Sequence, residues 1–196
     1  MAGESNRCTN GGVPTRAEAW DLVQRYIDSQ ALRNHCRAVE AVMRAEAQAA
    51  GEDADAWGVI GLVHDLDWER FPEEHCRKTE AILTEAGWPA EYIRAVMSHG
   101  WQICTDVEPV SLLEKTLYAV DELTGFVTAC ALVRPSKSVR DLEVKSVRKK
   151  WKQKGFAAGV DREVIERGCA MLGRDLDDLI GAVIAAMRPV AAHIDL

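Results

Sequence analysis

No apolar run in this sequence approaches the ~18–20 residues that a bilayer-spanning helix requires. The run around Val59 to Val63 is far too short. The first residues, Met1-Ala2-Gly3-Glu4-Ser5-Asn6, lack a basic end followed by an apolar stretch, so no secretory signal is visible and a cytoplasmic location is expected. None of the cysteines at positions 8, 36, 76, 104, 130 and 169 belongs to a Cys-x-x-Cys pair. Their wide spacing and the missing signal favour reduced, structural thiols over a disulfide framework. Sustained two-residue alternation is absent, as are hairpin dipeptides between β-branched runs, which argues against a sheet. Internal repeats and low-complexity blocks are absent too.

What is present fits a packed helical protein. Of 196 residues, 47% are hydrophobic and 28% charged, enough apolar material for a core and too much for general disorder. The net charge of −7 argues against bulk nucleic-acid binding. That charge is uneven: residues 134–154 hold nine Lys or Arg against two acids, while the remainder carries fifteen cations against twenty-nine acids, a net −14. A local cationic face on an acidic body suits a phosphate-bearing ligand.

Residues 1–13 read as a mobile tail. Thr15 and Glu18 have capping-box spacing and open a first helix. A second helix is expected over 30–50, broken by Gly51, and a third over about 54–66, apolar nearly all round and so placed inside a bundle. Pro72 starts a helix over about 72–86 and Pro89 another over about 89–99. A long helix follows over about 109–132. The charged stretch 138–153 has helical propensity, and two last helices, over about 161–172 and 175–188, are opened by Asp161 and Asp175. The expectation is an all-α protein of seven to nine helices: a core over 14–134, and a C-terminal helical extension over 135–196 packed on it.

Four of the five histidines, His35, His64, His75 and His99, fall between positions 35 and 99, each in or near a helix end. His64 is followed directly by Asp65 at the end of the buried third helix, where a charged carboxylate is costly unless paired or metal-bound. Asp121 sits inside an otherwise apolar helix. His64 and Asp65 can face one pocket, with His35 and Asp121 arriving from flanking helices. Imidazoles with carboxylates suit Mn, Fe, Co, Ni or Zn. Asp65 has two oxygens with which to bridge two ions, and His75 and His99 could complete the second position.

The order His35, His64-Asp65, Asp121 resembles the HD-domain superfamily of metal-dependent phosphohydrolases. The most specific part is Gly61-Leu62-Val63-His64-Asp65. Glu74 to Leu83, with His75, and Ser98-His99-Gly100 resemble the segments that supply further histidines in dinuclear members. The resemblance covers about residues 18–134. It implies an HD-type helical bundle holding one or two divalent transition metals on His35, His64, Asp65 and Asp121, with His75 and His99 as additional ligands. It also implies an enzyme that cleaves a nucleotide or other small phosphoester with a metal-activated water. Many relatives continue His-Asp with Ile-Gly-Lys, whereas this chain has Leu66-Asp67-Trp68. Asp67 could orient a ligand or carry a proton beside Asp65 in catalysis, or simply end a helix at the surface.

Lys78, one turn along from His75, is a candidate substrate contact. Lys145, Arg148, Lys149 and Lys152 recur at helical spacing and could steer a nucleotide or form a solvated face. Trp151 and Phe156 are too few to make a nucleic-acid platform. Two alternatives stay open: a di-iron HD-type oxygenase on the same ligands, and a non-catalytic nucleotide-binding module. A homodimer is compatible with the sequence.

Overall fold

The computed structural model describes residues 14–196, and the expected N-terminal tail lies outside them. The helices start where a side chain can receive their first free amides. Thr15 and Glu18 form the capping box of α1 (Arg16–Tyr26). Ser29 caps α2 (Gln30–Ala50), and Gly51, in the left-handed conformation that glycine adopts without a Cβ penalty, ends it. Asp53 caps α3 (Ala54–Val63). Then come α4 (Arg77–Glu85), α5 (Ala90–Ser98) and α6 (Leu112–Leu132), the last opened by a Ser111–Glu114 capping box. Three helices finish the chain: α7 (Val144–Trp151), α8 (Arg162–Leu172) and α9 (Leu176–Met187). Asp161 caps α8 with its side chain, whereas Asp175 stands at the start of α9 without making that bond. Among the described residues there is no strand, only one isolated bridge between Trp101 and Thr105, and the fold is all-α. No described helix is long and apolar enough to cross a membrane.

Two expected helices are cut short, and both cuts shape the candidate site. The third stops at Val63 rather than 66, and residues 64–70 form a run of turns. The expected 72–86 helix begins as a 3-10 turn over Pro72–Glu74, breaks at His75 and Cys76, and restarts at Arg77. Cys76 has φ 67° and ψ −47°, near the strained γ-turn region, which no continuous helix can pass through.

Packing then fixes where the helix ends meet. α3 lies close on α2, because a Cβ at Gly61 would come within 2.9 Å of Met43 Cγ and 3.2 Å of the Val39 carbonyl oxygen. α8 lies equally close on α6, where Gly168 faces Ala119. α6 also packs on α2, α5 and α9. One core joins Val39, Met43, Ile60, Leu117, Phe126, Ile165 and Val183, so helices on both sides of position 134 share it.

Candidate metal centre

The ends of α3 and α5, the break before α4, and the facing sides of α2 and α6 converge on one cup. His35 comes from α2 and Asp121 from α6. His64 is the C-cap of α3, His99 the C-cap of α5, and His75 stands at the break. His64 is fully buried, and Asp65 and His99 are buried beside it.

Asp65 lies between two half-sites. Its Oδ2 is 3.4 Å from His64 Nε2 and 3.9 Å from His35 Nε2. Its Oδ1 is 3.6 Å from His75 Nε2 and 3.7 Å from His99 Nε2. Asp121 Oδ1 closes the inner half, 2.9 Å from His35 Nε2 and 3.2 Å from His64 Nε2. The structure thus brings His35, His64, Asp65, His75, His99 and Asp121 together.

The outer nitrogens of three rings are already committed, which turns each Nε2 inward. His64 Nδ1–H donates to the Gly61 carbonyl at 2.8 Å, and His99 Nδ1–H to the Val96 carbonyl at 2.5 Å. His75 Nδ1–H donates to Asp67 Oδ1 at 2.7 Å. His75 and His99 then confront each other with their Nε2 atoms 3.1 Å apart. Two neutral rings held in these tautomers aim lone pairs at one another, an arrangement that a proton or a cation between them relieves. His64 Nε2 is buried and, although 3.2 Å from Asp121 Oδ1, makes no aligned hydrogen bond. A buried polar atom left unpaired costs about 1–3 kcal/mol, and a ligated cation is one partner that removes that cost. The donor set therefore fits a metal ion. Three groups of ligand atoms lie mutually within 4.8 Å: His35, His64 and Asp121; Asp65, His75 and His99; and His75, Cys76 and Cys104. These groups can hold a metal ion.

The electrostatics match. Burial opposes charging His64, yet Asp65 and Asp121 together raise it well above the usual histidine value. Burial likewise opposes ionising Asp65 and Asp121, and His64 still holds both carboxyls well below the usual range. Glu122, beside Asp121, goes the other way: burial first, then the Asp121 charge, pushes it up to about 7.

Asp67 is not a surface residue ending a helix. It is fully buried, because the turns after Val63 fold inward. Both its oxygens are taken, Oδ1 by His75 and Oδ2 by the Thr79 amide at 2.8 Å. That removes it from contact with a substrate and makes it a positioning residue for His75. Lys78 is also not at the cleft. Its Nζ pairs with Glu74 at 3.2 Å and lies over the Phe71 ring. The cleft outside His75, about 340 Å³, is lined instead by Arg77, with Trp68, Pro72, Glu73, Ile103 and Cys104. Lys145 pairs with Glu143 at 2.7 Å and Arg148 with Asp177 at 2.8 Å, while Lys149 is exposed. No hydrogen bond or ion pair links Lys78, Lys145 or Lys149 to the cup among the described residues.

Sequence reasoning missed Arg77, Trp68, Glu122, Cys76 and Cys104. The two cysteines were expected to be structural thiols, but their Sγ atoms are 3.2 Å apart beside the histidines. The Cys76 hydrogen bond, aided by His75 and His99, pulls the Cys104 thiol down to about 6, while the same bond and burial push Cys76 up. The one signal available was adjacency, since Cys76 follows His75 and Cys104 lies five residues after His99. Comparison of the chain with protein-family models, with curated proteins and with solved structures returned no match.

Proposed function

We propose that the cup binds two divalent first-row cations and hydrolyses a small phosphoester, a nucleotide first among them. The observation that carries this reading is the Asp65 carboxylate, one oxygen turned to each half-site. His35, His64 and Asp121 would hold the inner ion, His75 and His99 the outer one, with Asp65 common to both. The order of these ligands along the chain, which resembles the HD-domain superfamily, supports the same assignment. Divalent ions so held supply a water acidic enough to be a nucleophile near neutral pH, and they neutralise charge on a phosphoryl group.

The chain's own groups do the rest. Asp67 keeps the proton on His75 Nδ1, so that Nε2 stays a lone-pair donor, and the Gly61 and Val96 carbonyls do the same for His64 and His99. Arg77, with no acidic partner among the described residues, stands at the cleft to receive an anionic group. Trp68, 50% exposed and edge-on to His75 at 4.8 Å, and Ile103, 56% exposed, give the same cleft apolar walls. Such walls suit a base or another flat group attached to the phosphate.

The test is Asp65→Ala, with bound metal measured on the purified protein and turnover screened over nucleotides and dinucleotides. Both ions and the activity are expected to go while the helical circular dichroism stays. Unchanged metal content and turnover would refute the assignment. Iron in the wild type, with dioxygen consumed and no phosphate released, would refute hydrolysis in favour of oxygenation.

A further inference from the structure

Cys76 and Cys104 have no role in the reading above, yet the backbone is shaped to bring them together. Cys76 takes a positive φ that a non-glycine residue adopts at a cost of about 1–3 kcal/mol. Gly100 is the second device: a Cβ there would overlap both sulfurs. The third is the loop that carries Cys104. The amides of Ile103, Cys104 and Thr105 all point to the Gly100 carbonyl, at 2.9 to 3.0 Å, which folds the loop back over Cys76. Mere packing of two thiols explains none of these.

The spacing has a chemical meaning. Zinc–sulfur bonds of about 2.3 Å and zinc–nitrogen bonds of about 2.0–2.1 Å in a tetrahedron place neighbouring ligand atoms roughly 3.3–3.8 Å apart. The two sulfurs, 3.2 Å apart, fall just short of that range and would open slightly on binding, and Cys76 Sγ, 3.9 Å from His99 Nε2, lies just beyond it. One ligand atom each from His75, Cys76 and Cys104 lies within 4.8 Å of the others, and Cys104 and His75 both line the open cleft.

We propose that Cys76 and Cys104 add thiolates to the outer half of the cup, where with His75 they take a thiophilic divalent cation, zinc first. The proposal rests on the reading of the cup as a metal centre and goes further in naming what its outer half selects. His75 has one free nitrogen, the other being bound to Asp67, so the outer half holds a single ion. Sulfur donors bias that ion toward zinc or cobalt, whereas the inner half offers only nitrogen and oxygen and accepts harder ions. Binding displaces one proton from each thiol to solvent.

Cobalt(II) is the probe, added to the fully reduced, metal-free full-length chain without oxygen. A near-ultraviolet thiolate-to-cobalt charge-transfer band is expected to grow and saturate by the point at which both halves of the cup are filled. It should fall to about half in Cys104→Ser and vanish in Cys76→Ser/Cys104→Ser, while visible absorption from an inner ion persists in that double variant. A loaded wild type with no such band, or a band of undiminished intensity in the double variant, overturns the proposal. Should the double variant not fold, alkylation of the wild type decides: zinc is expected to shield Cys76 and Cys104 from iodoacetamide, and equal labelling with and without zinc overturns the site. Asp121→Ala separates the two readings, since it should remove the inner ion and leave the band. A wild type that shows the band but cleaves no phosphoester loses the proposed activity and keeps this site.

Discussion

Asp67→Asn tests whether a buried carboxylate controls the outer half of the cup through one histidine. Asp67 accepts two hydrogen bonds, from His75 Nδ1–H at 2.7 Å and from the Thr79 amide at 2.8 Å, and is fully buried. An asparagine has one oxygen for these two donors. If that oxygen serves Thr79, the amide nitrogen faces His75 Nδ1 and forces the other tautomer, which places a proton on Nε2 where an ion should sit. Loss of such an orienting partner weakens metal binding ~10–100-fold, or about 1.4–2.7 kcal/mol. If the oxygen serves His75, the Thr79 amide faces another donor, and a buried unpaired group costs about 1–3 kcal/mol of stability. Either way the substitution registers. Zinc titration of metal-free protein against a chromophoric chelator reads the first branch, and thermal melting in chelator reads the second. Inner-site affinity should stay, because no hydrogen bond or ion pair among the described residues joins His35, His64 or Asp121 to Asp67. Two wild-type affinities together with a wild-type melting temperature would refute the reasoning. Equal weakening of both ions would refute the claim that Asp67 acts through His75 alone.

Glu122→Gln should show a pH-dependent gain in chelator-treated protein. Burial, with Asp121 beside it, raises the Glu122 carboxyl to about 7, so its favourable contribution is complete below the ordinary glutamate value and is lost as pH rises through about 7. The variant should therefore melt higher relative to wild type at pH 8 than at pH 5, and a difference that does not change with pH would count against it. Two glycine substitutions should move stability in opposite directions. Gly168→Ala drives a Cβ to 2.5 Å from the Ala119 Cβ and should destabilise by about 1–3 kcal/mol. Gly125→Ala meets only Val160 Cγ2 at 3.9 Å and should stabilise by about 0.4–1 kcal/mol. A Gly168→Ala variant that melts at or above wild type would show that the α6–α8 contact has more room than the structure gives it, and a Gly125→Ala variant that melts lower would refute the second expectation.

The residues legible in the sequence share a physical reason. Asp65 and Asp121 stood out because an acid beside or within a buried helix demands a partner, and a one-dimensional pattern displays that demand. The capping boxes at Thr15 and Ser111 were legible at one end and not the other: Thr15 with Glu18 was read directly, whereas the long helix was expected from 109 and starts at Leu112, after Ser111. Asp67 was obscured because helical periodicity was carried past Val63, where the chain has already turned. The basic stretch over-advertised itself. Its charge is partly met by Glu143, Asp141 and Asp177, and the last of these arrives from α9, beyond the reach of a local reading.

The cysteine pair was illegible for a deeper reason, one that also divides the cup in two. His35 and Asp121 project from the bodies of long helices whose positions are set by the core. His75, Cys76, His99 and Cys104 all lie at helix ends or in turns, and the turn at Cys76 needs a positive φ that a sequence usually signals with glycine or asparagine. Periodicity locates the first kind of ligand and says nothing of the second. The same division is mechanical. The inner half is preformed by helix packing, whereas the outer half depends on turns whose conformations carry strain, so part of the ion's binding energy there goes into holding its own ligands. Removing the outer ion should therefore loosen the segments 71–77 and 99–105, and leave the backbone around His35 and Asp121 as it is. Amide hydrogen exchange with and without zinc measures that asymmetry directly, and uniform protection in both halves would sink the argument that helices build one side of the cup and turns the other.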